Sequence, residues 1–354
     1  MKKILLIDTS YAAGGPKTVL RNLVESPLGK KYDFKLITKY GIFHYNPIKA
    51  IRYVNYFRKK INVEHGDIAY VRGLQYIGLL LTLGAKLSNV KDTILCIHGS
   101  DWDINDHTLR RAILKYIIEP LEIRLADHIV TVCDAESKIV KPLRLAKRGA
   151  YYGTIYNTFP NIDYDKIQGK LRDELHIAKD KIIVASVGRV VDRKGHQYII
   201  EAMKKLHDPQ FVFVIIGEGN YLEHYKEECR EEMAEGCLYL LGTRDDIYEL
   251  EKDVDIFLFP TLNENHSMAL LEAINMHCAV LATNVGGNPE TVTNGVNGIL
   301  IDKENSDQIV DGLKKLKSKE LRDKYTEAAY KSAKENFSEG KTLGKLDKLF
   351  EGTK

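Results

Sequence analysis

Short, nearly unbroken apolar runs alternate with longer amphipathic stretches along this chain. In the first half the runs are KILLID, DFKLIT, DIAYV, TILCIHG, HIVTVC and YGTIYN; in the second they are KIIVASVG, FVFVIIGEG, LYLLG, IFLFP, AVLATNV and GILI. A strand covered on both faces reads as a continuous apolar run, and helical stretches between such runs imply parallel βαβ units. Two such series predict an α/β protein of two doubly wound, Rossmann-like domains. The polar stretch NTFPNIDYDKIQGK, with Pro160, interrupts the pattern and marks the expected linker. The expected domains are residues 1–165 and 166–330, with 331–354 as C-terminal helices packing back on the first domain. Ligands of such sheets bind beyond the carboxyl ends of the strands, so two facing domains would place a site in the cleft between them.

Composition adds limits. The 354 residues suit two domains of roughly 150 residues each. An apolar fraction of 44% and a charged fraction of 29% are ordinary for a soluble globular protein. The opening MKKILLIDTS is too short an apolar run for a secretory leader. GLQYIGLLLTLGAKL falls short of the ~20 residues of a membrane span. Cys96, Cys133, Cys229, Cys237 and Cys278 have no metal-site spacing, which points to a reduced, cytoplasmic protein. The net charge of +3 hides an asymmetry: residues 1–165 carry 25 Lys and Arg against 16 Asp and Glu, and residues 166–354 carry 27 against 33. The basic half is expected to face an anionic membrane surface or a phosphorylated ligand. No recognition motif for nucleic acid accompanies it.

The candidate chemistry lies where apolar runs end. SVGRVVDRKG supplies Arg189 and Lys194 between Gly188 and Gly195, two cations at a strand's carboxyl end that suit a diphosphate. After IFLFPT, Glu264 sits in a loop and Glu272 one to two turns into a helix. The first-turn amides of Ser267, Met268 and Ala269 offer an anion site between them. The order carboxylate, anion-binding amides, carboxylate matches sugar, diphosphate, ribose. The two glutamates therefore read as hydroxyl clamps of a nucleotide-sugar site, not as a proton-transfer pair. Gly286–Gly287 before Glu290, and Gly14–Gly15 before Pro16, recur at corresponding loops of the two halves. GEGN fails the dinucleotide fingerprint, because Leu222 stands where the last glycine is needed.

With these motifs in hand, the chain resembles glycosyltransferase family 4, retaining sugar-nucleotide transferases of the GT-B fold with two facing Rossmann-like domains. The resemblance runs through VGRVVDRKG, IIGEG, LLGTRDD, FPTLNENHSMALLEA and ATNVGGNPETVTNGVNGILI, and extends to CIHGSDWD and ADHIVTVCDAE. It implies that Arg189 and Lys194 hold the donor diphosphate, Glu272 the ribose and Glu264 the donor sugar. It implies further that the backbone of Thr243, Arg244 and Asp245 edges the base and that Gly15 lies against the diphosphate. His98 would face the transferred sugar near the reaction centre. Transfer would retain the anomeric configuration by front-face attack, with no protein nucleophile. The sequence departs from the family pattern after Glu264, where Asn265, His266 and Ser267 replace a glycine-containing motif.

His266 reads either as a donor contact or as loop filler. Asp101, in SDWD, is an acceptor-side or structural residue, and no metal is expected. The implied function is transfer from a nucleotide sugar, a uridine diphosphate sugar in preference to a guanosine one, to a growing glycan. A lipid-linked acceptor in surface polysaccharide assembly is the expected setting. A GT-B nucleotide-sugar epimerase and a catalytically silent nucleotide-sugar-binding subunit are the alternatives, and a nicotinamide dehydrogenase is disfavoured by the failed fingerprint. The basic, amphipathic YNPIKAIRYVNYFRKK and LRRAILKYIIEPLEIRL suggest peripheral contact with the inner face of a membrane.

Overall fold

Each apolar run forms a parallel strand in the computed structural model, which describes residues 1–8, 15–39, 46–100, 102 and 108–353. The chain divides into two units, residues 1–158 with 339–354, and residues 159–338. The first crossing thus falls within the expected linker, at Thr158–Phe159. Of the C-terminal helices, Lys319–Asn336 belongs to the second unit and Glu339–Gly352 to the first.

The first unit holds β1 (Lys3–Ile7), β2 (Asp33–Ile37), β3 (Ile68–Arg72), β4 (Asp92–Ile97), β5 (His128–Thr131) and β6 (Tyr151–Thr154), ordered β2-β1-β3-β4-β5-β6. Every pairing is parallel. Alternate residues of β1 feed two separate cores. Leu5 and Ile7 pack with Phe57, Ile61 and Leu81, whereas Ile4 and Leu6 pack with Leu20, Leu346 and Phe350. This explains the unbroken apolar runs, since each face of the sheet is covered. The helix Pro47–Glu64 starts where Asn46 accepts from the amides of Ile48 (2.9 Å) and Lys49 (3.1 Å), with Pro47 pre-set for the first turn.

The second unit holds β7 (Ile182–Val187), β8 (Phe211–Ile216), β9 (Leu238–Leu240), β10 (Ile256–Phe259), β11 (Ala279–Thr283) and β12 (Ile299–Ile301), ordered β12-β11-β10-β7-β8-β9 and again all parallel. Counted from its first strand, this is the doubly wound order 3-2-1-4-5-6. Strand order reverses between β7 and β10, the switch point at which the loops after two strands of such a sheet diverge. In the first unit the reversal falls between β1 and β3. These two points gather the polar residues described next.

Candidate functional site

At the switch point of the second unit, β7 runs into Gly188, Arg189 and a short 3-10 turn, Asp192–Lys194. The helix His196–Leu206 follows. β10 runs into the loop Pro260–Ser267 and then the helix Met268–Asn275. The Lys194 ammonium pairs with the Glu264 carboxylate and sits 4.8 Å from the centroid of the Phe259 ring. Both side chains are mostly buried, 13% and 15% exposed, so their attraction is screened far less than that of a surface pair. Arg189 is exposed and makes no ion pair among the described residues. The sequence-predicted cations and the first glutamate therefore lie in the loops after β7 and β10, with Lys194 paired to Glu264 and Arg189 exposed.

The backbone holds this geometry. The Leu262 amide donates to the Arg193 carbonyl (2.8 Å), and the Arg193 guanidinium donates to the Asn263 carbonyl (3.0 Å). The Thr283 hydroxyl donates to the Thr261 carbonyl (2.6 Å), tying β11 to the same loop. Gly195 adopts φ 69°, and a Cβ there would lie 2.1 Å from the Pro260 carbonyl oxygen. Gly286, at φ 51°, is tighter still, since a Cβ would meet the Glu264 carbonyl oxygen at 1.7 Å. The Gly287 amide donates to that same oxygen (3.2 Å). The glycine pair after β11 thus seats the Glu264 loop.

The Ser267 hydroxyl is spent on capping, accepting from the Leu270 amide (3.4 Å). The Ser267 and Met268 side chains are buried, which leaves the first-turn amides of Ser267, Met268 and Ala269 as the group's anion-binding capacity. Glu272 lies one turn on, half-buried. Beside it Glu251 is fully buried; burial, with the Glu272 charge adding, pushes its carboxyl well above the usual range and keeps it neutral. His266 is buried edge-on against Phe337, 4.4 Å between ring centroids. Burial pushes its imidazole down to about 3, so it is a neutral packing group. The Arg244 side chain is committed to Glu174 (2.9 Å) and Asp246 (2.7 Å), which fixes the turn whose exposed members are Thr243 and Asp245.

In the first unit, Gly15 is the first residue of the helix Gly15–Glu25, and Asp101 lies outside the described residues. His98 follows β4. It stands beside two groups that the motif reading passed over, Asp8 after β1 and Arg72 at the end of β3. The Arg72 guanidinium pairs with Asp8 (3.1 Å) and donates through Nε to His98 Nε2 (3.0 Å). The available signal was a charged residue directly closing an unbroken apolar strand, in ILLID and AYVR. Burial, and then the Arg72 charge, hold the His98 imidazole well below its ordinary range.

Also in the first unit, Leu109 (80%), Tyr116 (66%) and Ile117 (57%), with Ile113 and Leu121, are exposed at helical spacing along Leu109–Leu125. Arg110, Arg111, Lys115 and Arg124 share that stretch. In the helix Pro47–Glu64, Ile48 and Ile51 are likewise exposed beside Lys49 and Arg52. No helix among the described residues is long and apolar enough to cross a membrane, and none of them form a cluster of three metal-ligand side chains.

A family profile described as Glycosyl transferases group 1 matches residues 168–332, most of the second unit. The UDP-Gal:alpha-D-GlcNAc-diphosphoundecaprenol alpha-1,3-galactosyltransferase of Escherichia coli is 25% identical over 75% of this chain and 70% of its own. The N-acetylgalactosamine-N,N'-diacetylbacillosaminyl-diphospho-undecaprenol 4-alpha-N-acetylgalactosaminyltransferase of Campylobacter jejuni is 30% identical over 51% of this chain and 48% of its own. Among solved structures, Anabaena Alr3699/HepE in complex with UDP-glucose is similar at TM-score 0.81 and 18% identity, over 99% of this chain and 100% of that one. WaaG, a glycosyltransferase involved in lipopolysaccharide biosynthesis, is similar at TM-score 0.78 and 15% identity, over 99% and 100%. At those identities the likeness is one of fold, the GT-B type with two Rossmann-like domains.

Proposed function

We propose that this chain, whose residues 168–332 match the Glycosyl transferases group 1 profile, is a glycosyltransferase of that group that moves a sugar from a uridine diphosphate sugar to a hydroxyl of a lipid-linked glycan, with retention of configuration, in surface polysaccharide assembly. The observation that carries the donor half of this reading is the meeting of Lys194 and Glu264, with Arg189 open beside them, at the β7/β10 switch point. A diphosphate arriving there offers Lys194 a second anion. The sugar hydroxyls then take the Glu264 carboxylate as acceptor, so one buried pair serves two parts of the donor. The first turn of the helix Met268–Asn275 supplies amides to the diphosphate, and Glu272 holds the ribose. The backbone at Thr243–Asp245 edges the base, and Gly15 and His98 serve the diphosphate and the transferred sugar.

In the transfer step the acceptor oxygen bonds to the anomeric carbon as the bond from that carbon to the diphosphate oxygen breaks. The diphosphate leaves with the electron pair, and a donor phosphate oxygen takes the acceptor's proton. Arg189 and Lys194 stabilise the charge that collects on the leaving group, which is where fixed cations lower the barrier most. The names of the Escherichia coli and Campylobacter relatives, one with a UDP-sugar and both with an undecaprenol diphosphate carrier, support the choice of donor and acceptor. The exposed apolar residues of Leu109–Leu125, flanked by arginines and a lysine, suit peripheral contact with an anionic inner-membrane surface.

Calorimetric titration with uridine, guanosine and adenosine diphosphates tests the donor site. Uridine diphosphate is expected to bind most tightly, and the Arg189→Ala/Lys194→Ala variant to lose at least about tenfold in affinity, since each charge-assisted bond contributes roughly 1.5–3 kcal/mol. Folded protein that binds none of the three would overturn the reading.

A further inference from the structure

Three adjacent strands of the first unit end in a connected polar chain. Asp8 after β1 and Arg72 at the end of β3 form a pair whose side chains are 9% and 4% exposed, and Arg72 reaches on to His98 after β4. An arginine keeps all its protons, so its Nε–H can only donate. The His98 Nε2 facing it at 3.0 Å must therefore accept, and the ring's own proton must sit on Nδ1. Cys96 Sγ lies 3.2 Å from the same nitrogen. Burial pushes that thiol up, so it stays protonated, and a thiol is too weak a partner to displace a guanidinium. Among the described residues, Arg72 from β3 and Cys96 from β4 meet the ring at Nε2, with Asp8 from β1 one contact further on Arg72 and Tyr70 from β3 one contact further on Cys96.

We propose that Arg72, braced by Asp8, is a positioning residue for the transfer: it fixes His98 as the Nδ1–H tautomer, so that the ring serves the sugar as a hydrogen-bond donor and not as a base. This rests on the assignment of His98 to the transferred sugar made above. Arg72 is suited to the task because its planar fork engages Asp8 with one nitrogen and the imidazole with another, which fixes both orientation and tautomer. The neighbouring positive charge also opposes protonation of the ring.

Nitrogen-15 spectra of histidine-labelled protein test it, with His98→Gln used to identify the His98 ring among the 11 histidines. The wild-type ring is expected to show the Nδ1–H signature and to stay neutral where an ordinary imidazole takes up its proton. Arg72→Lys keeps a cation for Asp8 but lacks the planar Nε–H. In it the ring is expected to mix tautomers and titrate nearer its ordinary value of 6.5. kcat should fall about tenfold or more while KM for the donor stays within about threefold. Should Arg72→Lys misfold, Arg72→Met/Asp8→Asn removes the buried pair together and leaves no lone charge; the same spectral change is expected. An Nε2–H ring in the wild type, or an unchanged ring and kcat in Arg72→Lys, would overturn the proposal. Full activity in His98→Gln would overturn the assignment of His98 and the proposal with it. An impaired His98→Gln enzyme with an Nε2–H wild-type ring would overturn the proposal alone.

Discussion

At the scale of single residues, sequence marked candidate positions better than the contacts that hold them. Arg189, Lys194 and Glu264 were legible as candidates because each follows an apolar strand at a loop, where a charged group has no packing role to fill. Asp8 and Arg72 were not, because a charge closing a strand reads as the boundary of the strand until its neighbours in space are known. Gly286 was legible as a turn, but the 1.7 Å approach of the Glu264 carbonyl oxygen that demands a glycine depends on a residue 22 positions away. His266 was legible as an exception and open in role; in the fold it is buried against Phe337. A consequence follows for acid stability. The folded imidazole titrates at about 3 against an ordinary 6.5. The unfolded chain therefore takes up a proton first as pH falls, and stability present above pH 6.5 is progressively lost toward pH 3. His266→Phe keeps a ring against Phe337 and removes the titrating group. Urea midpoints at pH 7 and about pH 4.5 should show the variant gaining on the wild type in acid by on the order of 2 kcal/mol. Equal acid sensitivity of the two proteins would rule out this source of it.

At the scale of elements, the inner strands were legible because both faces of the sheet are covered there and the period of two is erased into continuous apolar runs, whereas the edge strands β2 and β6 keep exposed Leu36 and Tyr152. Helix faces were harder. LRRAILKYIIEPLEIRL reads as amphipathic, yet which residues face inward depends on the sheet beneath it. Leu114, Glu119, Glu122 and Ile123 are buried, while Leu109, Tyr116 and Ile117 stand out. Glu119 is held by the Ser100 hydroxyl at 2.7 Å, two residues beyond His98. Glu119 and Glu122 thus face in and large apolar residues face out, the reverse of what hydropathy alone would assign. An apolar patch with basic flanks suits a bilayer surface better than water. Ile113→Glu/Ile117→Glu places two acidic groups on the exposed side and touches no core contact. Flotation with vesicles rich in anionic lipid should recover wild-type protein with the lipid and leave at least about tenfold less of the variant. Equal recovery of both would remove this face from the membrane reading.

At the scale of the whole molecule, the chain returns to its first unit after completing the second. The helix Glu339–Gly352 buries Leu343, Leu346, Leu349 and Phe350 in the core that contains Ile4, Leu6 and Tyr70. Phe350 is wholly buried, with Tyr32 at 5.3 Å and Tyr70 at 6.0 Å between ring centroids. Lys2 donates to the carbonyls of Phe350 (2.9 Å) and Thr353 (2.7 Å), so a cation from the start of the chain caps the C-terminal end of its last helix. The pattern KLDKLFEG announces an amphipathic helix, but nothing local names its partner, since its hydrogen-bonded partners in the first unit lie between 191 (Thr154) and 349 (Lys2) residues away in sequence. Phe350→Ala therefore should weaken the first unit, by about 3–5 kcal/mol for a large buried aromatic ring, and spare the proposed donor residues of the second. The protein offers its own reporters for the distinction. Its single tryptophan, Trp102, lies in the first unit, whereas Arg189, Lys194 and Glu264 lie in the second. In urea, the tryptophan fluorescence transition of Phe350→Ala should move to lower concentration. Uridine diphosphate affinity in buffer should stay within about twofold of wild type, because no donor-site contact is altered. A tryptophan transition left in place would show that the last helix adds little to the first unit. Loss of nucleotide binding in the folded variant would instead make the two units dependent on one another for the donor site.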